Sequence, residues 1–270
     1  MRFVGVDLAW GQRGRTGLAV LDDTGTLLDL AERRTDDDVL AWLRRWTEGP
    51  CLVAVDAPLI VTNPTGRRRC EAELGAVFAR HQAGPHPSNT SRPHMADGTR
   101  ASRLAGALGL DVDPASPAGR RAIEVYPHPA TVALFGLATT VKYKHKPGRD
   151  LELLRTESLR LVRLVETLEQ ADPPLHVRDH PTWAAIRTSV SGATRKVDLK
   201  AVEDMVDAVL CAYIGLYSVR KPELTSTYGN VAEGYIVTPS LPPTAPAPSP
   251  TAPSPTRQLR GGSGGVSPHG

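Results

Sequence analysis

The hydrophobic pattern near the start of the chain predicts short buried strands joined by tight turns. Residues 2–8, 17–21 and 51–59 are apolar runs, and each is only a few residues long. Short runs this apolar are typical of strands that are buried on both faces. The sequence DDTG at 22–25 has turn chemistry, so residues 26–31 are expected to return beside the second run as a hairpin.

Helical patterns separate and follow these runs. Thr35 and the three acids after it open a predicted helix to about residue 46, because acids in the first turn favour the helix dipole. Further helices are expected around 67–80, over 150–169 and over 197–220. The order strand, hairpin, helix, strand predicts an α/β fold with a mixed sheet flanked by helices.

The remaining segments suggest one domain with an insertion and a tail. Residues 60–119 contain one predicted helix and an irregular stretch rich in Pro, Gly, His and Ser, so we expect an insertion after the fourth strand. Residues 121–129 predict the next strand, ending at Pro127. Residues 239–270 are rich in Pro, Ala and Ser and then in Gly and Ser, a composition that buries too little apolar surface to order a chain. We therefore expect a domain over residues 1–222 and a disordered tail over 239–270.

Composition excludes several classes of protein. With 23% charged residues and a net charge of +3, the 270-residue chain has no strong basic field. Cys51, Cys70 and Cys211 are too few and too far apart for a disulfide framework. The first residues resemble neither a signal peptide nor a membrane span. We expect a reduced cytoplasmic protein without a membrane partner, and the oligomeric state stays open.

Two acids occupy an unusual face of the last predicted helix. On a helical wheel, its larger apolar residues share one broad face, whereas Asp204 and Asp207 lie opposite with the small residues Ala208, Cys211 and Gly215. Small side chains allow another element to approach closely, so this face is also expected to pack. Acids at positions i and i+3 repel each other when they share a buried neighbour, and a divalent cation would remove that cost. A favourable helix dipole is the alternative explanation.

Three further acids lie in or directly after apolar strands, namely Asp7, Asp56 and Glu124. An acid suits an apolar strand only at its carboxyl end, facing the crevice where open α/β sheets bind ligands. Mg²⁺ and Mn²⁺ prefer such oxygen ligands, and two ions about 4 Å apart can clamp a phosphoryl transfer. His128 lies near the third acid and is expected to cap or pack.

A basic loop offers contacts to phosphate groups. The residues expected to bind substrate are Lys142, Tyr143, Lys144, Lys146 and Arg149, with the tyrosine available for stacking. A solvated basic loop is the alternative interpretation. The arginine run at 67–69 is a weaker candidate.

The motifs VGVDLAW, TGLAVL, VAVDAPL, EVYPHP and DMVDAVLCAYIG, in this order, carry a family resemblance over about residues 2–220. They resemble the predicted nucleases of the ribonuclease H fold known as domain of unknown function 429. The last motif is also similar to the terminal helix of RuvC-type Holliday-junction resolvases. The resemblance implies a ribonuclease H-like mixed sheet and metal-dependent hydrolysis of phosphodiesters in nucleic acid, with two Mg²⁺ or Mn²⁺ ions.

The resemblance also implies roles for the acids. Asp7 would be the ligand shared by both metals, Asp56 the ligand after the fourth strand, and Asp204 with Asp207 would close the site from the last helix. Glu124 would be a ligand or would orient one. The type of nucleic acid stays open.

Two other classes of protein stay open. An actin-like or sugar-kinase-like ATP-binding phosphotransferase shares the opening strand and hairpin, but it needs a second phosphate loop that residues 56–66 match poorly. A non-catalytic binding module with the ribonuclease H fold is the third hypothesis. Tight ATP binding would favour the phosphotransferase. Thermal stability that does not respond to Mn²⁺ would favour the non-catalytic module.

Overall fold

The computed structural model describes residues 1–11 and 14–242. The strands are β1 (Arg2–Leu8), β2 (Thr16–Leu21), β3 (Leu27–Arg33), β4 (Cys51–Val55), β5 (Arg120–Glu124), β6 (Thr225–Asn230) and β7 (Gly234–Pro239). The helices are α1 (Asp36–Thr47), α2 (Arg69–Phe78), α3 (Arg100–Ala107), α4 (Pro127–Phe135), α5 (Leu151–Thr167), α6 (Pro181–Ser191) and α7 (Lys196–Arg220).

Within the described residues, a five-stranded mixed sheet forms the centre of the molecule. Its strand order is β3-β2-β1-β4-β5, with β2 antiparallel to both neighbours and β1, β4 and β5 mutually parallel. Helices cover both faces, which confirms the predicted α/β class. Because the parallel strands point the same way, their carboxyl ends meet at one edge of the sheet, where a ligand crevice is expected.

The two faces of the sheet build two separate apolar clusters. On one face, Phe3 and Leu52 pack with residues of α5, α6 and α7. On the other face, Val4 and Val53 pack with residues of α1 and α3. Side chains alternate between the faces of a strand, so a sheet covered on both sides requires nearly continuous apolar strands. This double coverage explains the short apolar runs of the sequence.

Helix α7 lies directly on the sheet because small residues meet there. A Cβ added to Gly5 of β1 would lie 1.9 Å from the carbonyl oxygen of Ala208, and one added to Gly17 of β2 would lie 1.8 Å from that of Asp204. Ala208 and Cys211 are fully buried. The expected packing of the small-residue face of α7 is therefore confirmed, and glycines in the sheet make it possible.

Several element boundaries differ from the sequence analysis. Strand β5 ends at Glu124, and residues 127–129, predicted to end that strand, instead begin α4. Pro127 explains the difference, since proline suits the first turn of a helix, where no backbone N–H donor is needed. The expected insertion at 60–119 contains α3 in addition to the predicted helix.

The carboxyl-terminal hairpin was not predicted. Strands β6 and β7 follow the expected domain end at 222, pair with each other and pack against α2 and α4. Pro239 is the last residue of β7, and residues 243–270 of the predicted tail lie outside the described residues. The described cysteines are free and buried. Within the described ranges, no helix is long and apolar enough to cross a membrane.

Candidate functional site

The predicted aspartates converge at the carboxyl edge of the sheet. Asp7 follows Phe3 and Gly5 in alternation on β1, so its side chain is on the face covered by α7. Asp56 follows β4, and its backbone N–H donates to Val6 O at 2.8 Å. Both side chains therefore lie at the ends of adjacent parallel strands, beside the helix that carries the other two acids.

Gly17 fixes how α7 sits over this edge. It lies on β2 as the cross-strand partner of Asp7, and the backbone of Asp204 occupies the space where a Cβ of residue 17 would be. Asp204 and Asp207 are 3% and 0% exposed, respectively, which shows that they are not on a solvated face of the helix. The missing side chain of Gly17 thus lets α7 place its acids next to Asp7.

A lysine from the predicted basic loop enters the cluster. The Nζ of Lys144 lies 2.8 Å from Oδ2 of Asp207, and the hydroxyl of Tyr143 donates to Oδ1 of the same carboxylate at 2.7 Å. Burial alone would lower the pKa of Lys144, but the negative charge of Asp207, reinforced by Asp7 and Asp56, raises it well above its ordinary value. The ammonium group is therefore a counter-ion shared by acids from β1, β4 and α7.

A second lysine pairs with the acids on α7 itself. Lys200 donates to Asp204 one helical turn away and to Glu203 at 2.8 Å. The sequence analysis missed Lys200 and Glu203, although the spacings i, i+3 and i, i+4 are those at which helical side chains meet. Glu203 adds a fifth carboxylate to the neighbourhood.

The cluster carries more negative than positive charge. Burial raises the pKa of Asp7 well above its ordinary value, and Asp207, Asp56 and Asp204 add to the increase against the opposing effect of Lys144. Burial likewise raises the pKa of Asp56 to about 7. Oδ2 of Asp204 is buried without a hydrogen-bond partner among the described residues. The site would thus accept further positive charge.

These oxygens fit the preference of Mg²⁺ and Mn²⁺ for hard ligands. Among the described residues, however, no group of three or more His, Cys, Asp or Glu side chains already stands in a ligating arrangement. The acids supply a suitable donor set, and their side chains would need to turn toward an ion.

A cleft of about 850 Å³ borders the cluster, a size typical of ligand sites. The acids that line it are Asp7, Asp56 and Glu203. The basic residues that line it are His86, His128, Lys144, His145, Lys146, Arg149, Lys196 and Lys200. Trp10 and Tyr126 add aromatic surface. An anionic molecule could thus approach the acids between cationic side chains.

The structure separates the residues of the predicted substrate loop. Lys144, Lys146 and Arg149 line the cleft. Lys142 instead donates to the side chain of Gln82. Tyr143 is 2% exposed, so its predicted role in stacking is wrong. The sequence showed an aromatic residue in a basic loop, and its hydroxyl is in fact needed by a buried carboxylate.

Glu124 takes part in a separate hydrogen-bond network, and its predicted role as a metal ligand or as a residue that orients one stays a prediction. Nη1 of Arg68 donates to Oε2 at 2.8 Å, and Nη2 of the same guanidinium donates to Oε1. The N–H of Leu59 donates to Oε2 at 2.9 Å, and Arg68 also pairs with Glu71. Since both oxygens of Glu124 are engaged, the carboxylate anchors the insertion to β5. Arg68 comes from the arginine run that was a weak candidate for phosphate binding.

His128 stands closer to the site than expected. It lines the cleft, its Nδ1 lies 3.0 Å from the hydroxyl oxygen of Thr140, and its ring is 5.6 Å from that of Tyr143. Burial lowers its pKa well below the ordinary value, and the positive charges of Lys144 and Lys146 lower it further. The imidazole is therefore held in its neutral form at the edge of the cleft.

The fold and the site define an α/β protein whose buried carboxylate cluster borders a basic cleft. The chain matches the family described as "Protein of unknown function (DUF429)" over residues 5–233 and belongs to that family. The matched range includes every described acid and lysine of the cluster. No match was found among curated proteins or among solved structures.

Proposed function

We propose that the protein hydrolyses phosphodiester bonds in nucleic acid with Mg²⁺ or Mn²⁺, as a ribonuclease H-like nuclease. The observation that carries the proposal is the meeting of Asp7, Asp56, Asp204 and Asp207 beside a cleft lined by cationic side chains. A purely structural role would pair each acid with a base, yet among the described residues five carboxylates share two lysines.

In this proposal the four aspartates hold the metal ions. Divalent ions in such a site supply an activated water and neutralise charge that develops on the leaving oxygen. Asp7 and Asp56 would supply ligands from the sheet, and Asp204 and Asp207 would supply them from α7. Burial would strengthen these interactions, because charges attract more strongly away from water.

The lining of the cleft supports a phosphate-bearing substrate. Lys146, Arg149 and Lys196 offer positive charge next to the acids. Trp10 is half-buried and lines the same cleft, so it takes the stacking role that Tyr143 cannot fill. Trp10 lies in a loop after β1, and nothing in the hydrophobic pattern distinguished it.

The decisive experiment is a cleavage screen with Mn²⁺ and Mg²⁺. The substrates are single-stranded RNA and DNA, an RNA–DNA hybrid, a branched junction and small nucleotides. Asp7→Asn is expected to reduce cleavage at least about a hundredfold, because metal ions contribute several kcal/mol to such reactions. Asp37→Asn is the matched control, since Asp37 is exposed on α1.

Stability separates lost chemistry from lost folding. Without metal, Asp7→Asn is expected to melt at or above the temperature of the wild type, because it removes a partly buried acid from a cluster of like charges. Equal cleavage by the two variants, or no cleavage of any substrate by the wild type, would remove the nuclease proposal.

The phosphotransferase hypothesis has less support. Such an enzyme needs free backbone N–H groups after β4 to hold phosphates, but the N–H of Leu59 already donates to Glu124. The hypothesis of a non-catalytic module predicts that Mn²⁺ leaves the melting temperature unchanged.

A further inference from the structure

Lys144 makes an unusual long-range contact. It lies in the loop between α4 and α5, yet its ammonium group reaches Oδ2 of Asp207 on α7 at 2.8 Å. The side chain is 24% exposed, and the carboxylate that it meets is fully buried. Part of the lysine side chain is therefore exposed in the cleft, while its ammonium group lies within the carboxylate cluster.

The ammonium group and a divalent ion would compete for the same oxygens. The acids that act on Lys144 are Asp207, Asp7 and Asp56, which are three of the four proposed metal ligands. Two cations about 4 Å apart in a partly buried site repel each other by several kcal/mol. An ion bound by these three acids would thus work against Lys144 in its present position.

The loop around Lys144 would allow its side chain to move out of the carboxylate cluster. Residues 145–148 are exposed, and Gly148 has a φ of +82°, which gives the loop a glycine turn. Tyr143 is buried and bonded to Asp207, so it would keep the preceding residue in place. Lys200 differs, because it contacts acids within one turn of its own helix.

We propose that Lys144 is a built-in cation that holds the carboxylate cluster together without metal, and that a divalent ion displaces it into the cleft. The displaced ammonium group would then join Lys146 and Arg149 among the groups that face an anionic substrate. The inference rests on metal binding by the proposed nuclease site, and it makes Lys144 a residue that sets the affinity for metal.

Calorimetric titration of Mn²⁺ into the wild type, Lys144→Met and Lys221→Met tests the exchange. Lys144→Met is expected to bind Mn²⁺ at least about tenfold more tightly than the wild type, because the ammonium group that opposes the metal is gone. Lys221→Met is the control, since Lys221 follows α7 and pairs with Asp172 outside the cleft, and it should bind like the wild type. Thermal melting should show Lys144→Met less stable without metal and more strongly stabilised by Mn²⁺.

The outcomes distinguish the two proposals. If the wild type binds Mn²⁺ and Lys144→Met binds it equally or more weakly, the exchange is refuted and the metal site stands. If neither protein binds Mn²⁺, the proposed function fails together with the exchange.

A measurement on the wild type alone covers the case in which Lys144→Met does not fold. Amine labelling followed by mass spectrometry reports how accessible each lysine is. Mn²⁺ should raise the labelling of Lys144 several-fold and leave that of Lys146 unchanged. Labelling of Lys144 that stays constant while Mn²⁺ binds would overturn the exchange.

Discussion

Replacing Gly17 by alanine tests the contact that brings α7 onto the sheet. The new Cβ would lie 1.8 Å from the carbonyl oxygen of Asp204, whereas ordinary contacts begin at 3.4 Å. The helix or the strand would have to yield by about 1.6 Å, and overpacking of this kind costs about 1–3 kcal/mol and occasionally more. Because the obstacle is backbone within two buried elements, we expect a loss at or above the upper end of that range.

The same substitution at Gly106 is the matched control. Gly106 lies in α3, and its Cβ would meet nothing within 4 Å. Alanine there should stabilise the protein by about 0.5–1 kcal/mol, since glycine is unfavourable within a helix. Urea unfolding of both variants gives the comparison from the shift in midpoint at constant slope. A Gly17→Ala variant as stable as Gly106→Ala would show that α7 does not touch β2 at this point.

Two further predictions concern charges. The pKa of Asp56 is raised to about 7 from an ordinary 3.8, so its contribution to stability is full below about pH 4 and is lost as the pH rises through about 7. The melting temperature of the metal-free protein should fall as the pH rises from about 4 to about 7, and less so in Asp56→Asn; an identical fall in both would contradict this assignment. Arg68→Met should cost about 3–5 kcal/mol in urea unfolding, because it leaves Glu124 and Glu71 buried without their partner. Arg69→Met, which removes an exposed ion pair, should cost less than about 1 kcal/mol, and equal costs would refute the distinction.

The sheet was predictable because its sequence signals are local. A strand buried on both faces requires a nearly continuous apolar run, so the runs that became β1, β2 and β4 could be recognised without knowing their neighbours. An acid that directly follows such a run is expected at the carboxyl end of the strand, facing the crevice. Asp7 and Asp56 were therefore identified by position alone, and the parallel arrangement of β1 and β4 then requires them to be close.

The partners of these acids were not predictable in the same way. Lys144 and Asp207 are separated by 63 residues, and Arg68 and Glu124 by 56. No helical or strand period connects positions so far apart, so the sequence could propose a basic loop but not which of its side chains would enter the cluster. Tyr143 shows the same limit, since its burial depends on where α7 lies.

Acids with a structural role and acids with a functional role should respond to neutralisation in opposite ways. Both oxygens of Glu124 have hydrogen-bond partners, so Glu124→Gln should destabilise the fold by leaving Arg68 buried without its counter-ion. Asp7 has neighbours of its own charge, so Asp7→Asn should leave the metal-free fold as stable or more so. A protein has no structural reason to keep a partly buried acid that weakens it, and such strain concentrates at functional sites. Both acids lie on strands of one sheet. If neutralisation lowers the stability at Glu124 and does not lower it at Asp7, the result would locate function within the cluster, independently of which substrate is cleaved.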